Sequence, residues 1–148
     1  DIAEKGTSGS TLADLKGEKP WDDEKKLFEE FKDSIYVKHL YGPLFFGFTS
    51  HFLNLFKNID KKIKVLIIRM DRVPHIDQTG LYAMEETLFD LNKKGLQVVI
   101  VGLQSQPEDM LRSIDIIPDL IHENQLFENM DIGLSWLKKE LNKDMTTH

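Results

Sequence analysis

Two short, uninterrupted apolar runs, each followed by a helical pattern, constrain the fold of this chain more than any other feature. The first is VLIIRM, Val65 to Met70, and the second is QVVIVGL, Gln97 to Leu103. A strand with one solvated face alternates apolar and polar residues, whereas one buried in a sheet covered on both faces reads as a continuous apolar run. After the first run comes the turn I-D-Q-T-G, Ile76 to Gly80, and then Leu81, Met84, Leu88 and Leu91 along one helical stripe. Lys93 and Lys94 precede Gly95. That is a helix stop, with cations in the last turn and a residue free to take positive φ. After the second run, Pro107 to Ile114 reads as a helix with Pro at its first position. Strands alternating with helices predict a mostly parallel sheet with right-handed crossovers. Ligand-facing residues in such sheets collect past the carboxyl ends of strands. The I-D-Q-T-G turn and the Gln104-Ser105-Gln106 loop both stand there.

The remaining segments fill out this frame. Ile35 to Leu40 predicts a strand, Tyr41-Gly42-Pro43 a turn, and Leu44 to Phe46 a second short strand completing an N-terminal hairpin. A helix follows over Thr49 to Asn58, where Phe52, Leu55 and Phe56 repeat at helical spacing. A short strand is expected near Leu120 to His122 and a final amphipathic helix over Asp131 to Leu141. The first twenty residues are rich in Gly, Ser, Thr and charge and read as a linker or tail. Trp21 to Asp33 is a short helix opened by Asp22, Asp23 and Glu24. The organisation is therefore a tail with a short helix over 1–33, one domain over 34–142, and a polar tail over 143–148. Four or five strands carry about four helices, expected on one side of the sheet.

The 148 residues are enough for one domain with a sizeable core, since a chain of this length buries about 70% of its unfolded surface. The net charge is −6. An acidic surface repels phosphate backbones, so no nucleic-acid partner is expected, and no basic cluster in the sequence argues for a membrane surface. Cysteine is absent, which removes disulfides, a thiol nucleophile and thiolate zinc sites. No apolar run approaches the length of about 20 residues that crosses a bilayer. The chain does not begin with Met and reads as a piece of something longer. If the parent is a membrane protein, this is its water-soluble part.

Three chemistries compete at the turn. A hydroxyl nucleophile needs a base and a group that orients the base. Thr79 has His75 nearby, but the pattern is not that of a nucleophile elbow. Asp77 has no second carboxylate with which to share a proton. No catalytic residue is assigned and the chain is not read as an enzyme. The histidines lack ligand spacing apart from the weak His75-x-Asp77, so no metal is assigned. Helix capping is the second chemistry: Asp77 or Thr79 can accept from an unpaired amide, and Gly80 allows a tight start. The third is modification, since a phosphate on Thr79 would lie at the positive end of the helix.

The strand-turn-helix VLIIRMDRVPHIDQTGLYAMEETLFDL, with YGPLFFG (Tyr41 to Gly47) upstream and KKGLQVVIVGL (Lys93 to Leu103) downstream, resembles the STAS domain over roughly Ser34 to Leu141. That α/β fold is shared by bacterial anti-sigma-factor antagonists and the cytoplasmic C-terminal regions of SulP anion transporters. The L-F-F after Gly-Pro and the ending NQLFENMDIGLSWL (Asn124 to Leu137) resemble the transporter branch. In the antagonists the motif is close to D-S-S-G and its second serine is phosphorylated. By position Thr79 matches that serine, Asp77 the acid and Gly80 the glycine, while Gln78 replaces a small residue.

The resemblance implies a non-enzymatic regulatory and interaction domain of a SulP-type sulfate or bicarbonate transporter, at the cytoplasmic face of the plasma membrane. Its implied partners are the parent's transmembrane domain, a cytosolic protein, and a second copy through the parent. The switch loop would be Asp77, Gln78, Thr79 and Gly80. Pro43, Phe45, His75 and Ser105 are candidate ligand or partner contacts, with no cofactor beyond weak nucleotide or anion binding at the loop. The alternative is a free-standing anti-sigma-factor antagonist switched by phosphorylation of Thr79.

Overall fold

The computed structural model describes residues 7–10, 20–31, 33–43 and 59–146. The expected strand over Leu44 to Phe46, with the hairpin it would close, and the expected helix over Thr49 to Asn58 lie outside the described residues. Five strands form one sheet in sequence order: β1 (Thr7–Ser10), β2 (Ile35–Tyr41), β3 (Val65–Arg72), β4 (Gln97–Val101) and β5 (Leu126–Phe127). β1 runs antiparallel to β2, whereas β2 to β5 are mutually parallel. Among the described residues the helices are α1 (Lys25–Phe31), α2 (Gln78–Lys93), α3 (Ser105–Ser113), α4 (Ile116–Asp119) and α5 (Met130–Thr146).

The parallel register places Val65 beside Ile35 on one flank and beside Gln97 on the other. Alternation along these strands then feeds two cores. Leu40, Leu66, Ile68, Met70, Val98 and Ile100 meet α2, α3 and α4 on one face. Ile35, Val37, Val65, Ile67, Val99 and Val101 meet α1 and α5 on the other. Helices therefore cover both faces, not one as the sequence reading expects. The physical reason lies in β3, where six successive residues are buried, so neither face can be left to water.

Several segments differ from the sequence reading. Thr7–Ser10 is an edge strand paired with Leu40 to Val37, where a tail is expected. The last strand is Leu126–Phe127, not Leu120 to His122; it exists through its pairing with Ile100 and Val101. α3 begins at Ser105, so Pro107 is its third residue, still in the first turn where no amide bond is forfeited. α5 runs on to Thr146, past the expected end. Trp21 to Phe31 lies against the sheet: Leu27 and Phe28 are buried in the second core. The stop after α2 is as the sequence implies, with Gly95 at φ +80 and its amide bonded to the Asn92 carbonyl.

Candidate functional site

The I-D-Q-T-G turn leaves the carboxyl end of β3, the central strand, and opens α2. Asp77 is the cap: its backbone is extended and its Oδ1 accepts from the Gly80 amide at 2.7 Å. Of the two capping candidates the structure uses Asp77, and Thr79 becomes the second helical residue. Gly80 is buried, Thr79 is half-buried and Gln78 is exposed. The Gln78 amide nitrogen donates to the Tyr82 hydroxyl at 3.0 Å.

Residues at the start of α3 fix this end of β3 and its turn. The Gln106 side chain clamps Ile76, accepting from its amide at 2.9 Å and donating to its carbonyl at 3.0 Å. Gln104 donates to the Asp71 carbonyl at 2.9 Å. Ser105, singled out in the sequence, is exposed between two glutamines that make these contacts. Pro43 is half-buried; Gly42 before it, at φ +67, donates to the Arg72 carbonyl at 2.8 Å, which brings this bend to the same end of the sheet. His75 is exposed, and Phe45 lies outside the described residues. Along the outer face of α2, Tyr82 and Phe89 are about half exposed, at 49% and 50%.

The same end of the sheet holds a buried polar network that sequence reasoning missed. Glu24, fully buried, accepts from His39 Nε2 at 2.7 Å, from the Trp21 amide at 3.1 Å and from Arg69 at 3.2 Å. A carboxylate has no proton to donate, so the His39 proton sits on Nε2. Arg69 also pairs with Asp23 at 2.7 Å and grips both oxygens of Asp71, at 3.0 and 2.8 Å. Burial works against the Arg69 charge, but the hydrogen bonds it donates to Asp71 and Asp23 outweigh it and hold its pKa above the ordinary value. Trp21 closes the cluster. Its ring stacks on His39 with centroids 4.5 Å apart, and the guanidinium groups of Arg69 and Arg72 lie 4.4 and 4.6 Å from its centre.

Gly102 completes the contact between this network and the next strand. It takes φ +75, and a Cβ there would run into the Asp71 carboxylate. The signal for the network was present in the sequence as His39 and Arg69 inside buried strands. A buried cation must be paired; Asp71 is two residues away, but the other partners, Asp23 and Glu24, are 46 and 45 residues away. Among the described residues no group of three His, Asp or Glu side chains gathers as metal ligands. No helix among them is long and apolar enough to cross a membrane.

Comparison with known proteins bears on this arrangement. The STAS domain family matches residues 29–131. This chain belongs to the STAS domain family. A curated relative, "Putative sulfate transporter YvdB" of Bacillus subtilis (strain 168), is 29% identical over 99 residues, or 66% of this chain. The chain spans 18% of that relative's length. Among solved structures, a sulfate transporter family protein from Wolinella succinogenes is 29% identical with a TM-score of 0.66, over 73% of this chain and 88% of that one. The STAS domain of a SulP transporter from Vibrio cholerae is 27% identical with a TM-score of 0.62, over 74% and 84%. The murine anion transporter Slc26a9, at 17% identity and a TM-score of 0.64 over 72% of this chain and 18% of that one, shares the fold. The chain is thus a STAS domain similar to those of sulfate transporters, with the α/β architecture that the resemblance implied.

Proposed function

We propose that this STAS domain is the non-enzymatic regulatory and interaction domain of a SulP-type secondary anion transporter, held at the cytoplasmic face of its membrane. Contacts made by Asp77, Gln78, Thr79, Gly80 and the outer face of α2 carry the interaction. The partners are the parent's transmembrane domain, a second copy brought together by the parent, and a cytosolic protein. A weakly bound nucleotide or anion at the turn tunes the contact. The observation that carries this reading is the exposed row Gln78, Tyr82 and Phe89 on a helix whose start is clamped by Asp77 and Gln106. A rigid helix presenting aromatic side chains is a suitable docking element, because aromatic residues are enriched where proteins meet. The test is anion uptake by the whole parent protein carrying Tyr82→Ser and Phe89→Ser. Uptake should fall severalfold at an unchanged amount of protein in the membrane; unchanged uptake would overturn the reading.

A further inference from the structure

At the opposite end of the sheet from the Asp77 turn, where β3 and β4 begin, lies a cavity of about 680 Å³. Its described walls come from residues 59–65, residues 94–97 and the end of α5, segments far apart in sequence. Ile63, Val65 and Leu141 are buried and form an apolar floor together with Leu96. Lys61, Lys64 and Lys94 stand exposed at the rim. Three lysines against two carboxylates give the lining a positive balance in a chain whose net charge is −6. Asp60 and Glu140 also line the cavity, and the Asp60 side chain is turned to the Lys62 amide at 2.9 Å. Lys94 and Glu140 are each already engaged in an interaction within the chain. Lys61 and Lys64 are therefore the leading cations.

The mixture of floor and rim selects the ligand class. An inorganic anion would meet exposed ammonium groups in water, where each attraction is small and screened by salt. An uncharged apolar molecule would use the floor and leave the lysines without a role. A molecule with both parts uses both, and the volume falls within the range of about 300–1,000 Å³ typical of ligand sites. We infer that this cavity binds an anionic amphiphile: a phosphate or carboxylate head beside Lys61 and Lys64, with an alkyl or acyl body over Ile63, Val65, Leu96 and Leu141. The site is separate from the Asp77 turn and does not rest on the function proposed for it.

Titration of the isotope-labelled chain with dihexanoyl phosphatidate, kept below its micelle concentration and followed by amide shifts, tests the inference. Saturable shifts are expected at Ile63, Gly95 and Leu96. Dihexanoyl phosphatidylcholine and inorganic phosphate should each bind at least about tenfold more weakly, and Lys61→Ala with Lys64→Ala should cost phosphatidate about tenfold or more. Equal binding of the two lipids would remove the lysines from the site, and equal binding of inorganic phosphate would remove the floor. Absence of saturable shifts would overturn the site itself. Spectra of the double variant that overlay the parent away from the cavity exclude misfolding as the cause of a loss. Co-sedimentation with phosphatidylglycerol vesicles, abolished in the double variant, assigns the amphiphile to a bilayer. Saturable phosphatidate binding without co-sedimentation assigns it to a free solute.

Discussion

Glu24 has no access to solvent, yet it meets three donors from three different parts of the chain: Trp21, His39 and Arg69. Buried charges are tolerated when every lone pair has a partner, and removing one partner leaves the other stranded in a low dielectric. Arg69→Met should therefore lower stability by about 3–5 kcal/mol, seen as an earlier urea midpoint with little change in slope. A loss below about 1 kcal/mol, the size of an exposed pair, would show that Glu24 is not left stranded without Arg69. His39 and Arg69 are polar residues within buried strands, a signal that the sequence reading passed over. Their distant partners carry no such signal, because nothing local in WDDE distinguishes a helix opening from an anion set aimed at a strand 45 residues away.

Helix α2 shows how local rules and tertiary contacts divide the work of building an element. Its stripe of Leu81, Met84, Leu88 and Leu91 and its stop at Gly95 follow from periodicity and backbone freedom. Its start depends on Asp77, whose carboxylate satisfies one of the four amides left open at a helix beginning. Asp77→Ala should cost about 1 kcal/mol, whereas Asp77→Asn, an equally good cap, should stay within a few tenths in thermal unfolding. Comparable losses in both variants would show that charge rather than the hydrogen bond is what matters. The clamp of Gln106 on Ile76 was invisible in the sequence, as was β5. Both are defined by what lies across the fold: a glutamine reaching a backbone 30 residues earlier, and two residues that become a strand by pairing with Ile100 and Val101.

In the molecule as a whole, the sheet divides two cores and its two ends carry different chemistry. Polar networks and the capped turn collect at the carboxyl ends of the strands, and the lysine-rimmed cavity at the amino ends. The far edge of the sheet is tied by Arg112 of α3, which grips Glu123 at 2.7 and 2.8 Å and Glu108 at 3.0 Å. The hydrogen bond from Arg112 holds the Glu123 carboxyl below its ordinary pKa. A depressed carboxyl stabilises the fold above its unfolded pKa of about 4.3, and that contribution is lost as pH falls through the folded value. Thermal midpoints measured down through the acid range should thus fall less steeply in Arg112→Gln than in the parent chain. Parallel curves would show that exposure screens the pair completely.

The position of Trp21 to Phe31 has a consequence for where this domain can be cut. The stretch that matches the STAS family starts at residue 29, inside α1. A polypeptide trimmed to that boundary would lack Leu27 and Phe28, leaving a gap over Ile35 and Val37, and would strip Arg69 of Asp23 and Glu24 together. The autonomous folding unit of this chain therefore begins no later than Trp21, upstream of the limit that similarity alone would draw.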